Sequence, residues 1–124
     1  MGLTHIAVTL RNFGNTTFSE NDTFTANFLV DTGATDSMAP ASELTRIGIQ
    51  PTGKKTYELA SGELEEYDVA VAEFSFMDDI IVSRVIFGPD NIEPILGVIA
   101  LESVGLIVDP VSQKLKKLPA LHLK

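Results

Sequence analysis

Short segments of alternating or clustered apolar residues, separated by turn residues, occupy most of the chain. Residues 3–10 alternate, with Ile6, Val8 and Leu10 on one predicted face. Residues 23–30 form a second strand-like segment that ends in an apolar run, and the polar residues 12–22 connect the two segments. This pattern predicts an antiparallel hairpin at the start of the chain.

Three further hairpins are predicted downstream from the same pattern. Segments 56–59 and 63–71 flank a small-residue tip, Ala60-Ser61-Gly62. Segments 73–77 and 80–87 flank Asp78-Asp79. Segments 106–109 and 114–118 flank residues 110–113, close to the end of the chain.

Two stretches have helical start and stop signals. Residues 40–47 begin with a proline and are followed by Gly48, and residues 98–104 are followed by Gly105. Many short strands with one or two short helices predict a mostly β fold, a small closed or folded-over β-barrel. At 124 residues with no linker or repeat, we expect one domain over residues 1–124.

Composition narrows the class of protein. Apolar residues make up 44% of the chain, enough for a core, and cysteine is absent. We therefore expect neither a disulfide framework nor a zinc–thiolate site. No apolar run has the length of a membrane span, and the first twelve residues lack a signal-peptide layout. We expect a soluble, cytoplasmic protein that does not bind a membrane.

The formal charge of −8 argues against nucleic acid as a partner, because phosphates would be repelled. Every acid lies before residue 110, whereas the last segment carries Lys114, Lys116, Lys117 and Lys124. This basic end is either a solvated surface or a segment that pairs with the acidic surface of a second copy.

The candidate chemistry lies where the second strand ends, at Asp31-Thr32-Gly33-Ala34. An apolar strand leads directly into an acid in a turn of small residues. Burying a carboxylate is costly unless hydrogen bonds compensate. Gly33 allows the backbone to approach closely and donate an N–H group to the acid, and Thr32 offers a hydroxyl group. The alternative is that Asp31 caps a loop, since these residue types favour turns.

Further motifs follow Asp31-Thr32-Gly33-Ala34 in a fixed order: the Ala60-Ser61-Gly62 hairpin tip, the apolar triplet Ile95-Leu96-Gly97, a short helix and a closing strand. In this order and separation they resemble the retropepsin-like aspartic proteases over nearly the whole chain. The last segment, from Gly97 onward, looks most like that of small bacterial and archaeal members of the family.

The resemblance implies an aspartic endopeptidase. A chain with one Asp-Thr-Gly triplet would complete its site in a homodimer, where Asp31 from each subunit meets at the two-fold axis and the pair shares one proton. It also implies that Thr32 interlocks with its counterpart, that Gly33 holds the carboxylate, and that Ser61 and Gly62 lie at a flap over an extended peptide or protein substrate. No cofactor is implied.

Asp36 is a second acid close to the predicted catalytic residue. We expect it to cap the turn toward Pro40; the alternative is that it disfavours ionisation of the catalytic pair by repulsion. Residues 119–124 extend beyond the closing strand and are candidates for intersubunit strands. The Ser61-Gly62 tip has fewer glycines than the flaps of retroviral enzymes.

Other kinds of site have little support. His5 and His122 lie at opposite ends of the chain without a second ligand at helical spacing, so no metal site is expected. The acids of residues 63–68 favour a solvated strand face over a Ca²⁺ site. No nucleophile elbow or phosphate-binding loop is present.

Three functions remain open from the sequence. The leading one is peptide-bond hydrolysis by two Asp31 carboxylates. The second is a non-catalytic dimer of the same fold that binds peptides or assembles with partners. The third is an unrelated β-sandwich binding protein, which predicts a monomer with Asp31 exposed in a loop.

Overall fold

The computed structural model describes residues 4–15, 19–109, 111–112, 114–121 and 123. These residues form nine strands, two α-helices and one 3₁₀ turn at Glu20–Asp22. The strands are β1 (His5–Arg11), β2 (Thr23–Val30), β3 (Ser37–Pro40), β4 (Gly53–Glu58), β5 (Leu64–Phe76), β6 (Asp79–Gly88), β7 (Ile95–Leu96), β8 (Leu106–Val108) and β9 (Leu115–Lys117). The helices are α1 (Ala41–Arg46) and α2 (Val98–Ser103).

Six strands close into a ring. The order is β1-β2-β7-β3-β6-β5, and β1 pairs with β5 to complete it. β4 extends from β5 outside the ring, and β8 pairs with β9 in a separate two-stranded sheet. This arrangement confirms the mostly β, closed fold with short helices that the sequence predicts.

The first hairpin matches the prediction closely. β1 and β2 pair antiparallel from His5 opposite Leu29 to Arg11 opposite Thr23. Side chains of β1 alternate between exposed and buried positions, with Ile6, Val8 and Leu10 inside. The predicted connection is partly outside the described residues, since residues 16–18 are not described.

The predicted break between segments 63–71 and 73–77 is wrong. β5 is continuous over thirteen residues, because its first half pairs with β4 and its second half pairs with β6 and β1. Ala72, at the expected break, is fully buried. The next turn is also displaced by one residue: Met77 and Asp78 have φ of 53° and 60°, so they are the two central residues of a hairpin turn.

β3 was not predicted. All four of its residues are buried, so its sequence shows no alternation. It forms because its neighbours provide partners on both sides: β6 runs parallel to it, and Met38 pairs with Ile95 of β7. The strand carries the chain from the Asp31 loop through the middle of the sheet.

The core lies inside the ring and under the two helices. Its largest fully buried side chains include Phe28, Phe74, Leu10, Leu44, Leu96 and Leu101. The β1–β5 closure is held by a nearly buried ion pair, in which the Arg11 guanidinium donates to both carboxylate oxygens of Glu73 at 2.9 Å. In the part of the chain that is described, no helix is long and apolar enough to cross a membrane.

Candidate active site

The Asp31 loop connects the end of β2 to the start of β3. Gly33 N–H donates a hydrogen bond to Asp31 Oδ1 at 2.9 Å, as the sequence predicted. Ala34 N–H donates to the Asp31 carbonyl oxygen at 3.2 Å, which closes the turn. Asp31 is half-buried, Ala34 is half-buried and Thr32 is exposed. The loop therefore holds a partly accessible carboxylate by a backbone donor.

The triplet Ile95-Leu96-Gly97 holds this loop in place through hydrogen bonds. Leu96 lies in β7, parallel to β2, and its carbonyl oxygen accepts from Asp31 N–H at 3.0 Å. Gly97 N–H donates to the Ser37 hydroxyl at 2.9 Å inside the protein. These bonds fix the two ends of the loop to β7 and to the glycine that follows it.

The first turn of α2 also binds the backbone of this loop. Val98 N–H donates to the Ala34 carbonyl at 2.8 Å, and Ile99 N–H donates to the Thr35 carbonyl at 3.1 Å. N–H groups at a helix start have no partner within the helix, so the loop carbonyls satisfy them. The helix that the sequence predicts after the triplet thus supports the Asp31 loop.

Gly97 is required here by close packing. A Cβ atom at this position would lie 2.6 Å from the Asp36 carbonyl carbon and oxygen and 2.9 Å from the Thr35 carbonyl oxygen. Backbone atoms cannot move aside as a flexible side chain can. The glycine of the triplet is therefore required by the close approach of the loop backbone.

The β4–β5 hairpin, which we call the flap, runs from Gly53 to Val69 with its tip at Ala60-Ser61-Gly62. Gly62 has φ of +89°, and its N–H donates to the Leu59 carbonyl at 2.8 Å. Glycine suits this left-handed position because it has no Cβ. The three tip residues are exposed, so the predicted tip lies at the turn of the hairpin.

A cavity of about 570 Å³ lies between the flap and the Asp31 loop. Asp31, Gly33 and Ala34 line it, as does Ala60; Ser61 and Gly62 do not contact it. The rest of the wall is mostly apolar or aromatic and includes Met38, Tyr57, Leu59, Tyr67, Ile86 and Ile95. Its described charged lining residues are the acids Asp31, Asp36 and Glu58. The site is a cleft of the size used for small ligands and peptide side chains.

The expected capping role of Asp36 is wrong. Its carboxylate is buried, and Oδ2 accepts from the Tyr57 hydroxyl at 2.8 Å and from Arg84 Nη1 at 3.2 Å. Oδ1 is buried and has no hydrogen-bond partner among the described residues. Burial and the bond to Asp36 raise the pKa of Tyr57 to about 12. Sequence reasoning missed Tyr57 and Arg84; the signal available was a lone arginine in the apolar segment 80–87.

Among the described residues, no group of His, Cys, Asp and Glu is arranged to hold a metal ion. His5 instead contacts Glu93 at 2.6 Å on the surface, and His122 lies outside the described residues. The acids of residues 63–68 are exposed or half-buried, and two of them bond to Tyr67 and Lys54. Of the basic end, Lys116 and Lys117 are exposed, while Lys124 lies outside the described residues.

Comparison with known proteins agrees with this geometry. A search of curated proteins gives no match. A family model described as aspartyl protease matches residues 16–99, which is more than half of the chain and includes the Asp31 loop, the flap and the Ile95-Leu96-Gly97 triplet. The chain therefore belongs to the aspartyl protease family, as its resemblance to the retropepsin-like members predicted.

Proposed function

We propose that the protein is an aspartic endopeptidase that works as a homodimer, with Asp31 from each subunit forming the catalytic pair. One domain over residues 1–124 would supply half of the site. The observation that carries the proposal is the placement of Asp31: its carboxylate accepts from Gly33 N–H and lines the cavity beneath the flap.

The need for a second subunit follows from the count of acids in suitable loops. The chain has one Asp-Thr-Gly triplet, whereas water activation by an aspartic pair uses two carboxylates. A two-fold axis near Asp31 would supply the second from the same loop of the partner. The exposed side chain of Thr32 is then available to contact its counterpart.

In the proposed reaction the two carboxylates share one proton. The ionised carboxylate takes a proton from a bound water, whose oxygen attacks the peptide carbonyl carbon. The protonated carboxylate gives its proton to the carbonyl oxygen. When the tetrahedral intermediate collapses, the C–N bond breaks, the amine leaves with a proton from the pair, and one hydroxyl of the intermediate returns its proton to the pair as the new carboxyl group forms.

The flap would bind the substrate backbone and exclude water. An extended peptide between the flap and the Asp31 loop can add main-chain hydrogen bonds, as an extra strand does. The cavity wall offers apolar and aromatic contacts for substrate side chains. Closure of the tip over the cleft would strengthen the electrostatic interactions within it.

The decisive experiment compares wild type with Asp31→Asn on a diverse peptide library from acidic to neutral pH, with products identified by mass spectrometry. We expect cleavage by wild type, with an acidic to near-neutral optimum because one carboxylate must be ionised and the other protonated. Asp31→Asn should lose at least about a thousandfold in rate, because neither step has its acid–base group. Its circular dichroism and sedimentation should match wild type.

Equal cleavage by both proteins would contradict the proposal. Failure of a folded, dimeric wild type to cleave any peptide would favour the alternative, a non-catalytic dimer that binds peptides in the same cleft. A folded monomer with activity would contradict the shared site.

A further inference from the structure

We propose that the hydrogen bond between Tyr57 and Asp36 is a reversible latch that holds the flap closed over the Asp31 loop. Tyr57 and Asp36 are then positioning residues. The latch is a property of the fold; its effect on turnover rests on the proposed function. The bond joins two elements that must separate and rejoin for a peptide to enter the cleft.

Asp36 belongs to the body of the protein. It is the last residue of the Asp31 loop, directly before β3, and its backbone lies against Gly97. Its side chain is 2% exposed, and one of its oxygens has no hydrogen-bond partner in the part of the chain that the structure describes. A buried carboxylate with few donors is unfavourable, so each remaining donor contributes strongly. The other oxygen therefore provides a strong acceptor at the floor of the cleft.

Tyr57 belongs to the flap. It lies in β4, opposite Glu65 of β5, close to the tip. Its hydroxyl reaches across the cleft to Asp36 at 2.8 Å, and its ring lies 6.2 Å from the ring of Tyr67. The bond thus connects the arm of the hairpin to the loop that carries the predicted catalytic residue.

Arg84 makes the latch reversible. It lies in β6, in the body of the protein, and donates to the same Asp36 oxygen at 3.2 Å. When the flap lifts, Asp36 loses the tyrosine but keeps its cation. Opening therefore costs one charge-assisted hydrogen bond without leaving an unpaired buried charge.

Tyr67 provides a matched control. It is the other tyrosine of the chain, and it also lies in the flap and lines the cleft. Its hydroxyl bonds to Glu65 of the same strand at 3.1 Å. Removing that hydroxyl alters the flap chemically in the same way but breaks no bond between the flap and the body.

The test uses the absence of cysteine, which lets two spin labels be placed by Glu63→Cys near the flap tip and Thr45→Cys on α1. Labelled chains are diluted with unlabelled chain, and the distance between labels is measured by pulsed electron paramagnetic resonance. We expect Tyr57→Phe to broaden this distribution toward longer distances. Tyr67→Phe should leave it as in the labelled parent.

Equal distributions for Tyr57→Phe and Tyr67→Phe would overturn the latch. Asp36→Ala should reproduce the broadening, and adding Tyr57→Phe to it should change nothing further. If Asp36→Ala does not fold, the comparison of Tyr57→Phe with Tyr67→Phe still decides whether the latch holds the flap closed. These measurements need no substrate, so they stand apart from any failure to detect cleavage.

If wild type cleaves peptides, Tyr57→Phe should raise KM several-fold and leave kcat within about twofold, because a less populated closed state lowers apparent affinity. KM should rise more in Tyr57→Phe than in Tyr67→Phe, which removes a hydroxyl from the same cleft wall but breaks no bond between the flap and the body. An unchanged KM in Tyr57→Phe would overturn the positioning role in turnover, whatever the distance measurement shows.

Discussion

The three carboxylates that line the cleft are held in different ways. Asp31 accepts from a backbone N–H and is half-buried; Asp36 is buried and bonded to Tyr57 and Arg84; Glu58 is exposed on the flap. A carboxylate bonded to a cation and a hydroxyl is committed to those partners. Of the two acids in the loop, Asp31 is the one whose environment leaves it available to a water molecule.

At the scale of single residues, the two tyrosines give a measurable signature. Burial and Asp36 raise the pKa of Tyr57 to about 12, and burial and Glu65 raise the pKa of Tyr67. In Tyr67→Phe we expect one phenolic transition near pH 12 by ultraviolet difference spectroscopy. In Tyr57→Phe the remaining transition should lie above the ordinary value of 10.0.

The same shift predicts how stability depends on pH. Because folding raises the pKa of Tyr57, the stabilisation from its neutral form is complete below pH 10.0 and is lost as pH rises toward 12. Denaturant unfolding of wild type and Tyr57→Phe should therefore show a smaller alkaline loss in the variant. If both tyrosines of wild type titrate at the ordinary pKa of 10.0, the result would contradict the hydrogen bond between Tyr57 and Asp36.

At the scale of elements, β7 and α2 determine where the Asp31 loop lies. The Leu96 carbonyl of β7 and two N–H groups of α2 bind the loop backbone. These contacts explain why a two-residue strand is placed between β2 and β3 at the centre of the sheet. The loop position depends on backbone contacts at this junction, so substitutions there should affect the site without touching a catalytic group.

Gly97→Ala tests this junction. Its Cβ would lie 2.6 Å from the Asp36 backbone, so β7 and the loop must move apart. We expect a loss of about 1–3 kcal/mol in the free energy of unfolding, measured with denaturant, from overpacking. Gly53→Ala is the control, because its Cβ would have no atom of the described residues within 4 Å and its φ is not positive. Equal stabilities of the two variants would show that the junction is not tightly packed.

At the scale of the whole molecule, the proposed site depends on association. A mixed dimer of wild type and Asp31→Asn would contain one carboxylate in place of two. Excess Asp31→Asn chain should therefore inhibit wild type after exchange of subunits, as the population of wild-type dimers falls. Peptidase activity is measured at fixed wild-type concentration, with an unrelated folded protein as the control. Activity that is indifferent to the variant would mean that each chain carries a complete site.

The described part of the carboxyl-terminal segment adds β8 and β9 but no strand after Lys117. The predicted intersubunit strands of residues 119–124 thus have no counterpart in 119–121 or 123, and residues 122 and 124 lie outside the described residues. Exposed Leu121 and the exposed lysines of β9 remain available to a partner.

The sequence alone determined the features that short-range patterns encode. Alternation placed Ile6, Val8 and Leu10 inside, and the apolar run before Asp31 identified the acid and its glycine donor. The tip at Gly62 followed from the residue types that turns require. Each of these depends on the conformational preferences and burial of neighbouring residues, which the local sequence records.

Only the tertiary structure decided which distant segments meet. β3 exists because β6 and β7 offer partners, β5 is continuous because different strands pair with its two halves, and Asp36 bonds to residues 21 and 48 positions away. A single sequence carries no record of such pairing, since the free energy that selects it comes from burial and hydrogen bonds between elements. The position of Asp31 and its glycine donor was therefore predictable, whereas the contacts between the flap and the loop were not.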